Sequence, residues 1–242
     1  MGNELQPFFT PACFVMRFME GKEMKANDIL KHVDHTLLKA DSTWEQIQKL
    51  TEEAIENKTA SICIPPTYIK RVNDKYGDKI NICTVIGFPL GYSVTAAKVA
   101  EAKQAIADGA NEVDMVINIC DAKNGDFGKI EDEIREIKAA CGDKILKVII
   151  ETCYLTEDEK IAMCRAVTNA KADYIKTSTG FGTAGATIED IILFRENIGP
   201  DVKMKAAGGM KTYEDMLAFL AEGADRLGTS SGVKLVLEHE AK

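Results

Sequence analysis

The sequence predicts an α/β protein, a (β/α)8 TIM barrel with a short N-terminal helix. Three observations carry this expectation. Short β-branched runs alternate with amphipathic stretches from Met24 onward. The length, 242 residues with 45% hydrophobic, suits one large α/β domain. No linker rich in Pro, Gly or Ser divides the chain. Parallel strands joined through helices require right-handed crossovers, and eight such units close a barrel. An open doubly wound sheet is the alternative, because length and unit count fit both loosely.

Strands are expected at 33–37, 60–64, 80–86, 112–118, 145–151, 174–178, 202–206 and 226–228. Thr43 opens a helix that runs to about residue 56, and Ser93 opens another, with Val99, Ala102 and Ile106 at helical spacing before Gly109 stops it. Further helices are expected at 126–140, 156–170, 187–197 and 212–222. Thr156 and Glu159 stand at capping-box spacing, and Gly223 follows the last of these helices. Residues 1–23 read as a disordered extension, with a start-codon artefact as the simplest origin, and 24–242 as a single domain. Pro7, Pro11 and Arg17 interrupt the apolar part of that extension, which has no basic leader and is too short to span a bilayer. Gln6 stands where a myristoylation signal needs Ser or Thr.

The formal net charge is −8 and charges of both signs are interspersed, which argues against a nucleic-acid partner. A small anionic substrate would then need a local positive pocket. The seven cysteines lie mostly in apolar runs and read as reduced thiols of a cytoplasmic protein. No Cys-x-x-Cys pair occurs, and His32, His35 and His239 offer no ligand pair, so neither a metal site nor another cofactor is expected.

Alternation within the strands sorts side chains by face. Val113, Met115 and Ile117 should meet the helices, leaving Asp114 in the barrel. Lys147, Ile149 and Glu151 share a face opposite Leu146, Val148 and Ile150, and Asp34 and Cys63 likewise oppose more apolar neighbours. The inward set therefore includes Asp34, Asp114, Lys147, Lys176 and Lys205. Unpaired burial would cost several kcal/mol each, so these groups must pair with one another or face a wet pocket. A purely structural ion-pair network is one reading. The other starts from Lys176 and Lys205, which end consecutive strands and each run into a glycine-bearing loop. Burial and a neighbouring cation favour the neutral, nucleophilic amine, and a Schiff base with a carbonyl substrate follows.

Barrels commonly hold phosphate in the loops after their last two strands. Those loops read Ala206-Ala207-Gly208-Gly209-Met210 and Gly228-Thr229-Ser230-Ser231-Gly232. Paired glycines let backbone approach an anion, and serines ahead of a helix add hydroxyl and N–H donors.

These segments, together with Val33-Asp34-His35-Thr36-Leu37-Leu38, Glu112-Val113-Asp114-Met115-Val116-Ile117-Asn118, Leu146-Lys147-Val148-Ile149-Ile150-Glu151-Thr152 and Tyr174-Ile175-Lys176-Thr177-Ser178-Thr179-Gly180-Phe181, closely resemble the deoxyribose-phosphate aldolase family. The resemblance runs from about Met24 to near the C-terminus. It implies a metal-free class I aldolase that reversibly cleaves 2-deoxy-D-ribose 5-phosphate to acetaldehyde and D-glyceraldehyde 3-phosphate. By the same resemblance Lys176 forms the Schiff base, Lys205 lowers the amine pKa and helps move protons, and Asp114 works with a water as general acid and base. Asp34, Cys63, Lys147, Thr179 and Gly180 join Gly208, Gly209, Ser230 and Ser231 as the expected substrate-binding set, although Asp34 could equally be a strand-end cap. Phosphorylated sugar and aldehyde substrates are the expected partners, with no membrane partner and with room for a homo-oligomer. Two departures stand out. Phe181 occupies a position where some members carry a lysine near the phosphate, and the chain ends Glu238-His239-Glu240-Ala241-Lys242 without the C-terminal tyrosine that some members use.

Two other functions compete. Another Schiff-base barrel aldolase, of the transaldolase or fructose type, would use the same lysine chemistry on a different sugar, and substrate profiling with acetaldehyde as donor separates them. An inactive phosphate-binding barrel would have no use for Lys176 and Lys205 together.

Overall fold

The computed structural model describes residues 24–241, and the extension expected at 1–23 lies outside the described residues. After a short helix, α1 (Ala26–Leu30), eight strands close into a parallel barrel in chain order: β1 (Val33–Thr36), β2 (Ser61–Ile64), β3 (Ile82–Ile86), β4 (Glu112–Val116), β5 (Ile145–Ile149), β6 (Tyr174–Lys176), β7 (Lys203–Ala207) and β8 (Arg226–Thr229). Closure is made where β1 pairs with β8, Val33 opposite Leu227 and Asp34 opposite Gly228. This is the fold class expected, with an open sheet ruled out by that pairing.

The expected helices form as α2 (Trp44–Glu56), α4 (Thr95–Ala107), α6 (Phe127–Cys141), α7 (Glu157–Asn169), α8 (Ile188–Asn197) and α9 (Tyr213–Ala221). Local chemistry starts most of them. Thr156 accepts from Glu159 N at 3.3 Å while Glu159 accepts from Thr156 N at 2.7 Å, and Thr43 with Gln46 and Thr212 with Asp215 repeat the device. A cap of this kind contributes about 1 kcal/mol. Ser93 does not cap α4. That helix begins at Thr95, where Thr95 Oγ1 donates to Glu133 at 3.3 Å and Lys98 Nζ to Val116 O and Glu133 at 2.8 Å, so tertiary contacts hold its first turn. The sequence reading passed over α3 (Ile69–Tyr76) and α5 (Ile119–Lys123), and α10 (Gly232–Glu240) follows the serines as anticipated.

The faces divide as the alternation requires. Val113, Met115, Leu146, Val148, Ile175 and Leu227 are buried in the layer between barrel and helices with Ile47, Ile134, Val167 and Ile191. Fully burying each such side chain contributes about 1.5–3 kcal/mol before the entropy of ordering is counted. The opposite faces point into the barrel and carry the charged groups. Among the described residues no helix is long and apolar enough to cross a membrane.

Candidate active site

Register sets several of the charged residues side by side inside the barrel. Asp114 lies opposite Lys147 across β4 and β5, Lys176 opposite Lys205 across β6 and β7, and Lys205 opposite Arg226 across β7 and β8. Inward-facing residues at matching positions of a closed barrel converge on its axis, and here they meet on carboxylates. Lys176 Nζ and Lys205 Nζ both donate to Asp114 Oδ2, at 2.7 and 2.8 Å. Lys147 Nζ donates to Asp114 Oδ1 at 3.0 Å and also pairs with Glu112 and, at 3.7 Å, with Asp34 Oδ2. Asp34 pairs with Lys205 and Arg226 and accepts from Ser61 Oγ at 2.8 Å. Arg226 Nη2 reaches Glu112 Oε1 at 2.9 Å.

Four basic side chains, Lys147, Lys176, Lys205 and Arg226, meet three carboxylates, Asp34, Glu112 and Asp114, in this network. Burial on its own would raise the Asp114 carboxyl, but the ammonium groups of Lys147, Lys176 and Lys205 overcome it and hold the group well below the usual carboxylate range. Asp34 is likewise held low, burial being outweighed by Lys205, Lys147 and Arg226. Burial would lower Lys205, yet Asp114 and Asp34 raise it above an ordinary lysine, and Lys147 is raised for the same reasons. Asp114 is therefore a standing anion and Lys205 a standing cation at neutral pH.

Lys176 alone of this network's residues opens onto the cavity above it. That cavity, about 440 Å³, is lined by Lys176, Thr179, Gly180 and Phe181 from the loop after β6, by Gly208, Gly209 and Met210 after β7, by Thr229, Ser230 and Ser231 after β8, and by Leu38 and Lys39 after β1. Six of the expected substrate-binding residues thus share one pocket wall. Asp34, Cys63 and Lys147 are fully buried beneath it, as are Lys205 and Asp114, and none of these five lines the cavity.

The glycine loop has a steric cause. Gly208 and Gly209 adopt φ of +71° and +79°, and a Cβ on Gly209 would come within 2.9 Å of Ala186 O. On the next loop, Ser231 precedes α10 without capping it, and its own N–H donates to Thr229 Oγ1 at 3.2 Å. The first turn of α10 is thus available to an anion entering the cavity.

Cys63, Cys83 and Asp114, and also Asp34, Cys83 and Glu112, converge closely enough to form metal ligand sets. Their carboxylate oxygens are already bonded to Lys147, Lys176, Lys205 and Arg226, so a divalent cation would meet ammonium and guanidinium groups in place of free donors.

The family model for the DeoC/LacD family aldolases matches residues 29–236. The chain belongs to this family. It is 65% identical over 219 residues to a deoxyribose-phosphate aldolase of Clostridium botulinum (strain Alaska E43 / Type E3), covering 90% of this chain and 99% of that protein. A solved aldolase designated QR15 superposes with a TM-score of 0.84 at 35% identity, covering 88% of this chain and 96% of that one. The tetrameric deoxyribose phosphate aldolase of Aeropyrum pernix superposes with a TM-score of 0.85 at 25% identity, covering 94% and 97%.

Within this family fold, four residues that the sequence reading left out of the site take part in its electrostatics or its loops. Glu112 and Arg226 join the barrel network as described. Cys83 Sγ lies 3.1 Å from Asp114 Oδ1 and accepts from Lys147 Nζ at 3.3 Å. Glu151, in the left-handed region at φ 54°, accepts from Thr179 N at 3.1 Å and from Thr179 Oγ1, and so ties the end of β5 to the loop after Lys176. Burial pushes the Glu151 carboxyl up, against the Thr179 donors. The parity of Glu112 with Asp114, and of Glu151 with Lys147, was the available signal for both acids.

Proposed function

We propose that this chain cleaves 2-deoxy-D-ribose 5-phosphate reversibly to acetaldehyde and D-glyceraldehyde 3-phosphate through a Schiff base on Lys176. The single observation that carries the reading is the shared Asp114 oxygen. It joins Lys176, the residue open to the cavity, to Lys205, the cation buried behind it. The name of the Clostridium botulinum relative, at 65% identity, supports the choice of sugar.

Lys176 Nζ gives up a proton and attacks C1 of the open-chain aldehyde as the neutral amine, and a proton returned to the carbinolamine hydroxyl lets it leave as water to give an iminium. The iminium keeps the positive charge that the ammonium had, so the Asp114 carboxylate pairs with it in turn. A base takes the proton of the C3 hydroxyl, the C2–C3 bond breaks, and its electrons pass to the iminium, giving an enamine and free D-glyceraldehyde 3-phosphate. In this reading Asp114, acting through a water, carries this proton and returns it to C2. Hydrolysis of the regenerated iminium frees acetaldehyde. Lys205 supplies the fixed cation that holds Asp114 ionised and leaves a net positive site for the anionic substrate.

Gly208, Gly209, Ser230 and Ser231 are the phosphate contacts in this reading, with Thr179 and Gly180 beside the sugar. Asp34 and Lys147 act from below the cavity by fixing Lys205 and Asp114, and Cys63 lies beside Asp114 at the same depth. Residues 24–242 form the aldolase domain, in a cytoplasmic protein with no nucleic-acid or membrane partner. A homo-oligomer is expected, in line with the tetrameric Aeropyrum pernix relative. The test is a coupled assay of aldehyde release from deoxyribose 5-phosphate alongside fructose and transaldolase-type sugar phosphates. Turnover of the latter in preference to the former would overturn the assignment of substrate.

A further inference from the structure

The order of loops around the cavity mouth is set by the order of strands, and it leaves the phosphate-type loops asymmetrically charged. Loops after β7 and β8 supply glycines and serines but no cation to the cavity wall. They are flanked on one side by the loop after β6, where Phe181 stands, and on the other by the loop after β1, because β1 pairs directly with β8. Phe181 is 55% exposed and packs edge-on against Phe88 with ring centroids 5.3 Å apart. That flank is an apolar wall. On the opposite flank stands Lys39.

Lys39 lines the same cavity as Lys176, Gly208, Gly209, Ser230 and Ser231. Its backbone is fixed, since its carbonyl accepts from Ser42 N at 3.1 Å and Ser42 Oγ at 2.7 Å. Its side chain is exposed and makes no salt bridge among the described residues. Lys211, one residue beyond Met210, lies outside the cavity wall and acts electrostatically on Asp215. A phosphate dianion entering a protein of net charge −8 needs a local counter-charge, and hydroxyl and N–H donors alone leave its charge unneutralised.

We infer that Lys39 is the cation that recognises the substrate phosphate and so sets the preference for phosphorylated sugar over free sugar. It takes the role from the β1 flank, leaving the Phe181 flank apolar. The inference rests on the aldolase function proposed above. A lysine here acts as a mobile point charge, so its contribution belongs to binding and is screened by salt.

The test compares wild type with Lys39→Met, Lys39→Arg and Lys211→Met, using deoxyribose 5-phosphate and unphosphorylated deoxyribose as substrates and inorganic phosphate as a competitive inhibitor. Lys39→Met is expected to raise KM for the phosphorylated sugar and Ki for phosphate by about ten-fold or more, roughly the loss of one favourable charge contact. The loss in kcat should be smaller, and the effect on free deoxyribose smaller still. Lys39→Arg should restore most of the affinity, and the salt dependence of KM should flatten in the Met variant only. Unchanged KM and Ki in Lys39→Met, or the larger loss in Lys211→Met, would overturn the inference while leaving the aldolase reading intact. Wild type that cleaves neither substrate would instead overturn the reading on which it rests.

Discussion

Lys176 and Lys205 stand opposite one another across the β6 and β7 ladder, and their ammonium groups donate to the same oxygen, Asp114 Oδ2, at 2.7 and 2.8 Å. Sharing one carboxylate oxygen ties the position of each lysine to that of the other. A change at Lys205 must therefore be felt at both Asp114 and Lys176.

Lys205→Met tests that coupling. Lys205 is one of the cations that hold Asp34 and Asp114 below the usual carboxylate range. Without it both carboxyls titrate at higher pH, and activity that needs the Asp114 anion fails earlier as pH falls. The acid limb of the pH–rate profile should move up, and turnover at neutral pH should fall by about 10²-fold or more. Lys205→Arg keeps the charge and should keep the acid limb near its wild-type place, while its bulk at a fully buried position reduces the rate. An unshifted profile with near-normal turnover in the Met variant would make Lys205 a structural strand-end lysine.

Removing the central anion should be felt in stability. Asp114→Asn leaves buried ammonium groups without their carboxylate, a change that costs about 3–5 kcal/mol when one partner of a buried pair is lost. The folded-state carboxyl of Asp114 lies well below its unfolded value, so its contribution is present above the unfolded value, about pH 3.9, and is lost as pH falls through the lower folded one. Lys147 and Lys205 are shifted upward, so their contribution is fully present below about pH 10.4, the unfolded lysine value. Urea denaturation of both proteins should show a gap that is steady from about pH 5 upward through neutral and narrows below about pH 4. A gap that widens on acidification would contradict this.

Much of this arrangement was legible in the sequence. All eight strands lie at the expected places, and the alternation of Asp114 against Val113 and Met115 put the carboxylate inside. Lys147, Lys176, Lys205 and Asp34 followed by the same alternation. Glu112 and Arg226 were passed over because each opens its strand, where a charged residue ordinarily turns to solvent. They face inward because Glu112 pairs with Lys147 and Arg226, and Arg226 with Asp34, and the Glu112–Arg226 contact joins residues 114 positions apart, which no local pattern reveals. Ser93 looked like a helix cap because hydroxyl chemistry is local, whereas Lys98 and Glu133, whose pairing holds that turn, are on different helices. The eight residues of α3 bury only Ile69, Val72 and Tyr76, too short a periodic run to stand out.

Phosphate placement is open to a charge insertion. Ser231 faces the cavity at the start of α10, and Ser231→Asp would set a carboxylate against a dianion but not against a neutral sugar. The loss in kcat/KM for deoxyribose 5-phosphate should exceed that for free deoxyribose by about ten-fold or more, since 1.4 kcal/mol of repulsion suffices. Equal losses for both substrates would place the phosphate elsewhere.

Chelation separates the lysine mechanism from a metal-assisted one. The acids that converge in the barrel are already bonded to lysine and arginine, so exhaustive treatment with EDTA should leave turnover unchanged. A reproducible loss, restored by adding a divalent metal, would assign the chain to the other aldolase mechanism.

The most direct measurement is covalent trapping. Borohydride reduction in the presence of deoxyribose 5-phosphate or acetaldehyde, followed by peptide mapping, should place a stable mass increment on the peptide that contains Lys176, and Lys176→Ala should abolish both the label and turnover while keeping the fold. A label found only on another lysine, or full turnover with no label at Lys176, would contradict the account.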